Sequence, residues 1–416
     1  MIERMKVGIV SCYFQHNYGS MLQAYATQMA LDQLGYENET IDISGFQSEI
    51  RNAKLRYFIK ASLTSDILRY KFGMAQSVLR RKLLQNEYAS MSMLRDQKFE
   101  SFQKKYFRMS APCSSKAQLG EKCRAEYGAV IVGSDQLWLP ANIAAGYYTL
   151  EFVPPQVNTI AYATSFGQSL LPRDSARRGS IFLKKLRHIS VREASGQRLV
   201  KMLTERRVPV VCDPTLLFSG EEWLSLQQEK PLLDEPYILC YFLGKNKLHR
   251  QFAQRLRQAT GCRIVALPHL DEFVRADDQY ADEKRYDIDP ADFLNLIRHA
   301  AFVCTDSFHC SVFSILYRKS FFTFRRYQDT TIHSTNSRLD SLFQMLGLSE
   351  RLLSGDESVS DCLNLRTDEQ KVNLRLAQLR ENSYQYLKSA LEDRQSTDLP
   401  ETGYFSGFEE QTVLHL

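Results

Sequence analysis

The chain is 416 residues long, 44% hydrophobic and 24% charged, with a formal net charge of +5. That length exceeds one ordinary domain, and the composition is that of a globular protein; no run of about 18 apolar residues occurs, so no transmembrane helix is expected. Nine cysteines are scattered singly, with no C-x-x-C pair, which speaks against zinc and a disulfide framework and for small core residues in a reducing cytoplasm.

Met1-Ile-Glu-Arg-Met-Lys6 leads into the first strand without a signal-peptide core, so a cytoplasmic location is expected. Lys6 to Cys12 predicts that strand, and Met21 to Leu34 a helix closed by Gly35. His16-Asn-Tyr-Gly-Ser20 turns between them. Tyr36 to Ile43 is the next strand, giving a β-α-β opening of a doubly wound parallel sheet. The turn lacks G-x-G-x-x-G, which argues against a dinucleotide fingerprint. Residues 48–109 form a basic helical region. Between Arg51 and Arg108, 14 Lys/Arg stand against four acids, a local excess of +10. Tyr57, Phe58, Ile59, Leu63, Ile67, Leu68, Tyr70 and Phe72 are interleaved with them. The pattern suits an amphipathic helix on anionic lipid at the inner membrane leaflet, one binding a lipid-linked phosphate, or a solvated helical face. No nucleic-acid motif accompanies it.

Ala129 to Val132 is a buried strand ending in Gly133-Ser-Asp135, and Thr159 to Ser165 is another. His188 to Glu193 is a short strand with a charged end. Val208 to Cys212 leads to the turn Asp213-Pro-Thr-Leu-Leu217 and a helix over Gly220 to Gln228. A second series starts near Pro236: strand Tyr237 to Leu243, helix Leu248 to Ala259, strand Arg263 to Leu267 and helix Pro290 to His299. Ala301 to Cys304 reads as a buried strand, Thr305-Asp-Ser307 as N-cap residues and the residues behind them as a helix. His309 therefore lies in the first turn of a helix at the carboxyl end of a strand. Open α/β sheets bind ligands there, and free N–H groups favour an anion. A strand at Ser320 to Phe324, a helix at Asn336 to Leu346 and a long helix at Asp368 to Leu391 complete the chain. Two Rossmann-like halves with a cleft between them are the expected architecture.

Seven segments, spread over roughly residues 6–350, resemble the polysaccharide pyruvyl transferase family. They are Asn17-Tyr-Gly-Ser-Met-Leu-Gln-Ala-Tyr25, Val132-Gly-Ser-Asp-Gln-Leu-Trp138, Ser190-Val-Arg-Glu193, Asp213-Pro-Thr-Leu-Leu217, Asp289-Pro-Ala-Asp-Phe-Leu294, Thr305-Asp-Ser-Phe-His309 and Ser337-Arg-Leu-Asp-Ser-Leu342. Cys310 departs from the glycine common in the family. The resemblance implies a GT-B-like fold and transfer of pyruvate from phosphoenolpyruvate to a sugar of a cell-surface polysaccharide precursor, as a cyclic ketal. Phosphoenolpyruvate would be the donor substrate, with no separate cofactor and no metal. The acceptor would be a glycan or a lipid-linked oligosaccharide. The expected division is 1–215 as an acceptor-side domain carrying the basic segment 48–109, and 216–367 as a donor-side domain. A helix at 368–393 would pack back, followed by a loose tail at 394–416.

Such a donor needs guanidinium groups and helix N-termini for its two anionic groups, and the reaction needs an acid and a base. His309 is the expected acid–base residue. Arg192 would clamp the donor, assisted by Ser307. Glu193 is either a second base or a salt-bridge partner. Arg325, Arg326 and Arg338 would form a second cationic clamp, or be surface charge. Asp135 would be a base for sugar hydroxyls, with Gly133 and Ser134 beside it. Trp138 would be a platform for a sugar face, or a core indole. Asn17, Tyr18 and Gly19 would shape the first loop on the acceptor side, with Gln23 one turn in. Two alternatives remain open. One is a GT-B glycosyltransferase using a nucleotide-sugar, against which stands the lack of any Glu between Glu283 and Glu350. The other is a non-catalytic component of glycan assembly.

Overall fold

The computed structural model describes residues 6–61, 87–268, 274–277, 279–327 and 336–393. Two all-parallel sheets organise them. The first has the order β2-β1-β3-β4-β5, built from β1 (Val7–Val10), β2 (Asn38–Thr40), β3 (Ala129–Asp135), β4 (Asn158–Thr164) and β5 (His188–Val191). The second has the order β11-β10-β9-β6-β7-β8. Its strands are β6 (Tyr237–Tyr241), β7 (Arg263–Ala266), β8 (Glu283–Lys284), β9 (Phe302–Thr305), β10 (Ser320–Phe324) and β11 (Leu352–Leu353). Strand order reverses between β1 and β3 in one sheet and between β6 and β9 in the other. The carboxyl ends at such switch points are where open sheets leave room for ligands.

The helices connect these strands. In the first half they are α1 (Tyr18–Gln33), α2 (Gln47–Ala61), α3 (Glu87–Tyr106), α4 (Lys116–Glu126), α5 (Pro140–Ala145), α6 (Arg173–Lys185) and α7 (Ala194–Thr204). The second half has α8 (Lys247–Thr260), α9 (Pro290–His299), α10 (Phe308–Leu316) and α11 (Ser337–Leu346). The near-continuous apolar runs of the strands follow from cover on both faces. In β6, Tyr237, Leu239 and Tyr241 face one core while Ile238 and Cys240 face another, the period-two alternation of a strand. That smaller core takes Phe252 and Leu256 of the amphipathic α8.

The larger core runs without interruption from the first sheet into the second half. Tyr18 stacks on Phe293 of α9 with centroids 4.4 Å apart, and its hydroxyl donates to the Ile288 carbonyl at 3.1 Å. The final helix, Glu369–Leu391, returns to the first sheet, where the Tyr386 hydroxyl donates to Ala161 O of β4 at 3.0 Å.

Three expectations are corrected. The segment read as helix from Gly220 to Gln228 is only a short 3-10 turn, Glu222–Leu226, closed once Trp223 is buried. The strand expected over Tyr36 to Ile43 pairs only at Asn38–Thr40. The cations of the basic region are not all solvated either. Arg95 is buried, lies 4.9 Å over the Tyr18 ring and donates to Pro268 O at 2.7 Å, whereas Arg108 stays half-exposed in its pair with Asp32 at 2.8 Å. The middle of that region, with Arg80, Arg81 and Lys82, lies outside the described residues, as does the tail 394–416. No helix among the described residues is long and apolar enough to cross a membrane.

Candidate active site

The loops leaving β1, β3, β5 and β9 converge at the carboxyl ends of the two sheets. The first delivers α1, whose N-cap Asn17 accepts from Gly19 N and Ser20 N at 3.0 and 3.3 Å. A methyl built on Gly19 would overlap the imidazole of His309. Glycine is what lets the start of α1 close onto α10, bringing the two halves together at the histidine. On the other side, Ser307 caps α10 through Cys310 N, holding His309 in the first turn. Cys310 is wholly buried and sits in that turn without distorting it.

Arg192, one residue beyond β5, is 2% exposed. Its Nη1 donates to Asp213 at 2.6 Å and its Nη2 lies 3.3 Å from Asp135. The guanidinium also covers the Phe308 ring at 4.4 Å. Asp213 follows a segment that extends the first sheet through Val210 beside Val191. It accepts further from Ser134 Oγ at 2.8 Å and from Thr215 N and Oγ1 at 3.1 and 2.7 Å. His309 Nε2 stands 3.5 Å from the same carboxylate, close enough for the charges to interact but outside hydrogen-bond geometry, and has no hydrogen-bond partner among the described residues. Burial alone would raise the pKa of Asp213, but His309, Arg192 and the Thr215 hydroxyl outweigh it and hold the group far below the carboxylate range.

Asp135 occupies the left-handed region at φ 76°, which Asp tolerates better than most residues and which turns its side chain toward Arg192. Ser20 Oγ donates to its second oxygen at 2.9 Å. Burial again opposes ionisation, yet Arg192, His309 and Arg338 lower the pKa to about 2. Asp135, read from the sequence as a base for sugar hydroxyls, stands in the fold as the charged partner of Arg192. Glu193 moves the other way: burial raises its pKa, Ser165 Oγ donates to one oxygen at 3.0 Å, and the other oxygen has no partner among the described residues.

Arg338, in the first turn of α11, is buried against the same centre. Burial and the neighbouring Arg192 lower its pKa to about 9, with Asp135 offsetting only part. The oxygen of the Gln136 carboxamide, turned toward it, accepts from Nε and Nη2 at 3.2 Å, and its guanidinium lies 5.9 Å from the Phe308 ring. Among the described residues no carboxylate reaches ion-pair distance of it. Nearby, the start of α11 has no side-chain cap among the described residues, while the first N–H of α7, at Ala194, donates to Ser341 Oγ at 3.3 Å.

The remaining candidates are placed differently. Trp138 is fully buried between Phe166 and Phe182, with Nε1 donating to Tyr148 O at 3.0 Å, so it has no free face for a sugar. Tyr18 lies in the core between the halves, and Gln23 is buried with its carboxamide accepting from Ser134 N at 2.8 Å. Gly133 is required because a side chain there would meet the Tyr162 carbonyl of β4. Arg325 pairs with Asp340 at 3.0 Å, a half-exposed pair away from the cluster. Arg326 donates to Asp306 O at 3.0 Å and braces the loop before His309. Sequence reasoning assigned no role to Asp213, although its Asp-Pro-Thr segment was already conspicuous. No group of acids, His or Cys among the described residues could hold a metal ion.

The comparisons agree with this architecture. A protein from Listeria monocytogenes described as a UDP-N-acetylglucosamine 2-epimerase superposes with a TM-score of 0.52 at 12% identity, covering 96% of this chain and 99% of its own. UDP-GlcNAc 2-epimerase from Neisseria meningitidis, bound to UDP-GlcNAc, gives 0.46 at 11% identity, with 92% and 93% covered. The likeness to the Listeria protein extends to the fold alone, a GT-B arrangement of two parallel-sheet domains. The sequence has no significant match among curated proteins. The Polysaccharide pyruvyl transferase family model, however, matches residues 17–327, which contain Gly19, Asp135, Arg192, Asp213 and His309. The chain therefore belongs to the polysaccharide pyruvyl transferase family.

Proposed function

We propose that this transferase moves the pyruvyl group of phosphoenolpyruvate onto two hydroxyls of a sugar, forming a cyclic ketal and releasing phosphate. The observation that carries the reading is Arg338: a buried guanidinium, depressed by its surroundings and by Arg192, without a carboxylate partner among the described residues. An anion bound there would relieve the repulsion, and the start of α11, without a side-chain cap among the described residues, favours the same charge. Phosphoenolpyruvate offers two such anions.

The reaction follows from that seat. One sugar hydroxyl adds to C2 of the enol while a proton goes to the methylene carbon. The C2–O bond to phosphate then breaks, the second hydroxyl attacks C2 and loses its proton, and the ketal closes. His309 is the group suited to pass these protons, since it sits against Gly19 between the halves with Asp213 beside it to stabilise the charged imidazole. Arg192 is a positioning residue, because both of its terminal nitrogens already face carboxylates. The second half would hold the donor, and the first half the acceptor.

Incubation with phosphoenolpyruvate and a panel of synthetic glycosides, following phosphate release, tests this reading. Release that depends on a glycoside with two suitably placed hydroxyls is expected. Consumption of a nucleotide-sugar in place of phosphoenolpyruvate would contradict it.

A further inference from the structure

A cavity of about 340 Å³ opens between α2, α5 and the start of α6, within the size range of small-ligand sites, about 300–1,000 Å³. Its wall carries Arg56, Lys60 and Arg178 against a single carboxylate, Asp174, with Tyr57 and Ile143 as apolar lining. Lys60 bonds Asp174 at 2.8 Å. Arg178 donates to Ala144 O at 3.0 Å and lies 3.3 Å from Glu151. Arg56 has no acid partner among the described residues, and α6 begins at the wall without a side-chain cap. The lining thus has an excess of positive charge and donors suited to phosphate oxygens.

Beside these cations, α2 turns two large aliphatic side chains to solvent, Leu55 at 53% and Ile59 at 56% exposure. They are one helical turn apart and so form one patch. A cationic pocket bordered by exposed aliphatics matches a phosphate head followed by hydrocarbon. The cavity is also tied to the catalytic centre. Helix α5 follows directly on the loop of Asp135, and Lys54 of α2 lies 5.9 Å over the ring of Tyr148, whose carbonyl holds Trp138 of that loop.

We infer that this cavity seats the phosphate head of an amphiphilic ligand, with Arg56, Lys60 and Arg178 on the phosphate and Leu55 and Ile59 along the hydrocarbon. The inference rests on the first half being the acceptor side. The phosphate could belong to a lipid that carries the acceptor glycan or to an anionic bilayer headgroup.

The test is calorimetric titration of the full chain, without phosphoenolpyruvate, with farnesyl diphosphate and with inorganic diphosphate. It is joined to flotation with phosphatidylcholine vesicles with and without phosphatidylglycerol. Arg56→Gln with Lys60→Gln is expected to raise Kd by about tenfold or more, as befits loss of charge-assisted bonds. Leu55→Ser with Ile59→Ser is expected to weaken farnesyl diphosphate several-fold and leave inorganic diphosphate unchanged. Variant-sensitive binding of soluble farnesyl diphosphate supports the site and assigns it to a lipid carrier. Variant-sensitive binding to phosphatidylglycerol vesicles alone supports it and assigns it to the bilayer. Binding in neither arm overturns the inference, as does an equal loss in a Lys371→Gln and Lys388→Gln control on the final helix. No turnover enters these measurements, so failure of the transfer reading and failure of this site are separately visible.

Discussion

Asp135, Asp213 and Arg192 form one buried charge network, and its members are worth more together than apart. Unfolded, Asp135 titrates near its ordinary 3.8, whereas in the fold its pKa is about 2. The unfolded chain therefore binds that proton first as pH falls. The resulting stability, on the order of 2 kcal/mol, is complete above about pH 4 and is lost as pH drops through about 2. Asp135→Asn should lower the urea midpoint at pH 7, with a difference from the parent that shrinks by pH 3; a constant difference would show that the carboxylate charge is not what stabilises. At Arg338, replacement by Met should leave the melting temperature unchanged or raised, because a buried charge without an ion-pair partner among the described residues is removed. The same change should abolish thermal stabilisation by phosphoenolpyruvate. Retained stabilisation would move the donor elsewhere.

At the scale of elements, the start of α1 against the start of α10 is the decisive contact. Gly19→Ala places a methyl where the His309 ring lies, so His309 must move or the helices must part. Turnover should fall by about 10² to 10⁴, the range for a displaced acid–base group, with only a small loss of melting temperature. Turnover within a few-fold of the parent would return His309 to a packing role. Strands and long helices were legible in the sequence because their apolar runs and caps are local: β9, the N-cap Ser307 and the helix carrying His309 follow from adjacent residues. The site was less legible. Asp213 gains its role only through partners distant in the chain, Arg192 and His309. Trp138 looked available because it follows a Gly-Ser-Asp loop, while Phe166 and Phe182, which enclose it, come later in the chain. Arg325 and Arg338 are alike in composition, and only the fold separates a surface pair from a buried cation.

On the scale of the whole molecule, a core continuous across both halves joins them through Tyr18 and Phe293, with Arg95 over the same ring. Calorimetry should therefore show a single unfolding transition, and Tyr18→Ala should cost about 3–5 kcal/mol, as large aromatic truncations do. Two separated transitions in the parent would mean independent halves. This continuity is also what allows residues from opposite sheets to serve one reaction. The central claim is tested most directly by turnover in D₂O with phosphoenolpyruvate and an accepted glycoside, followed by mass spectrometry and proton NMR of the product. The account predicts a glycoside heavier by one pyruvate less one water, with one deuterium in the ketal methyl and one phosphate released per product. An acceptor left unmodified while phosphoenolpyruvate stays intact, or one that gains a sugar from a nucleotide-sugar, would contradict it.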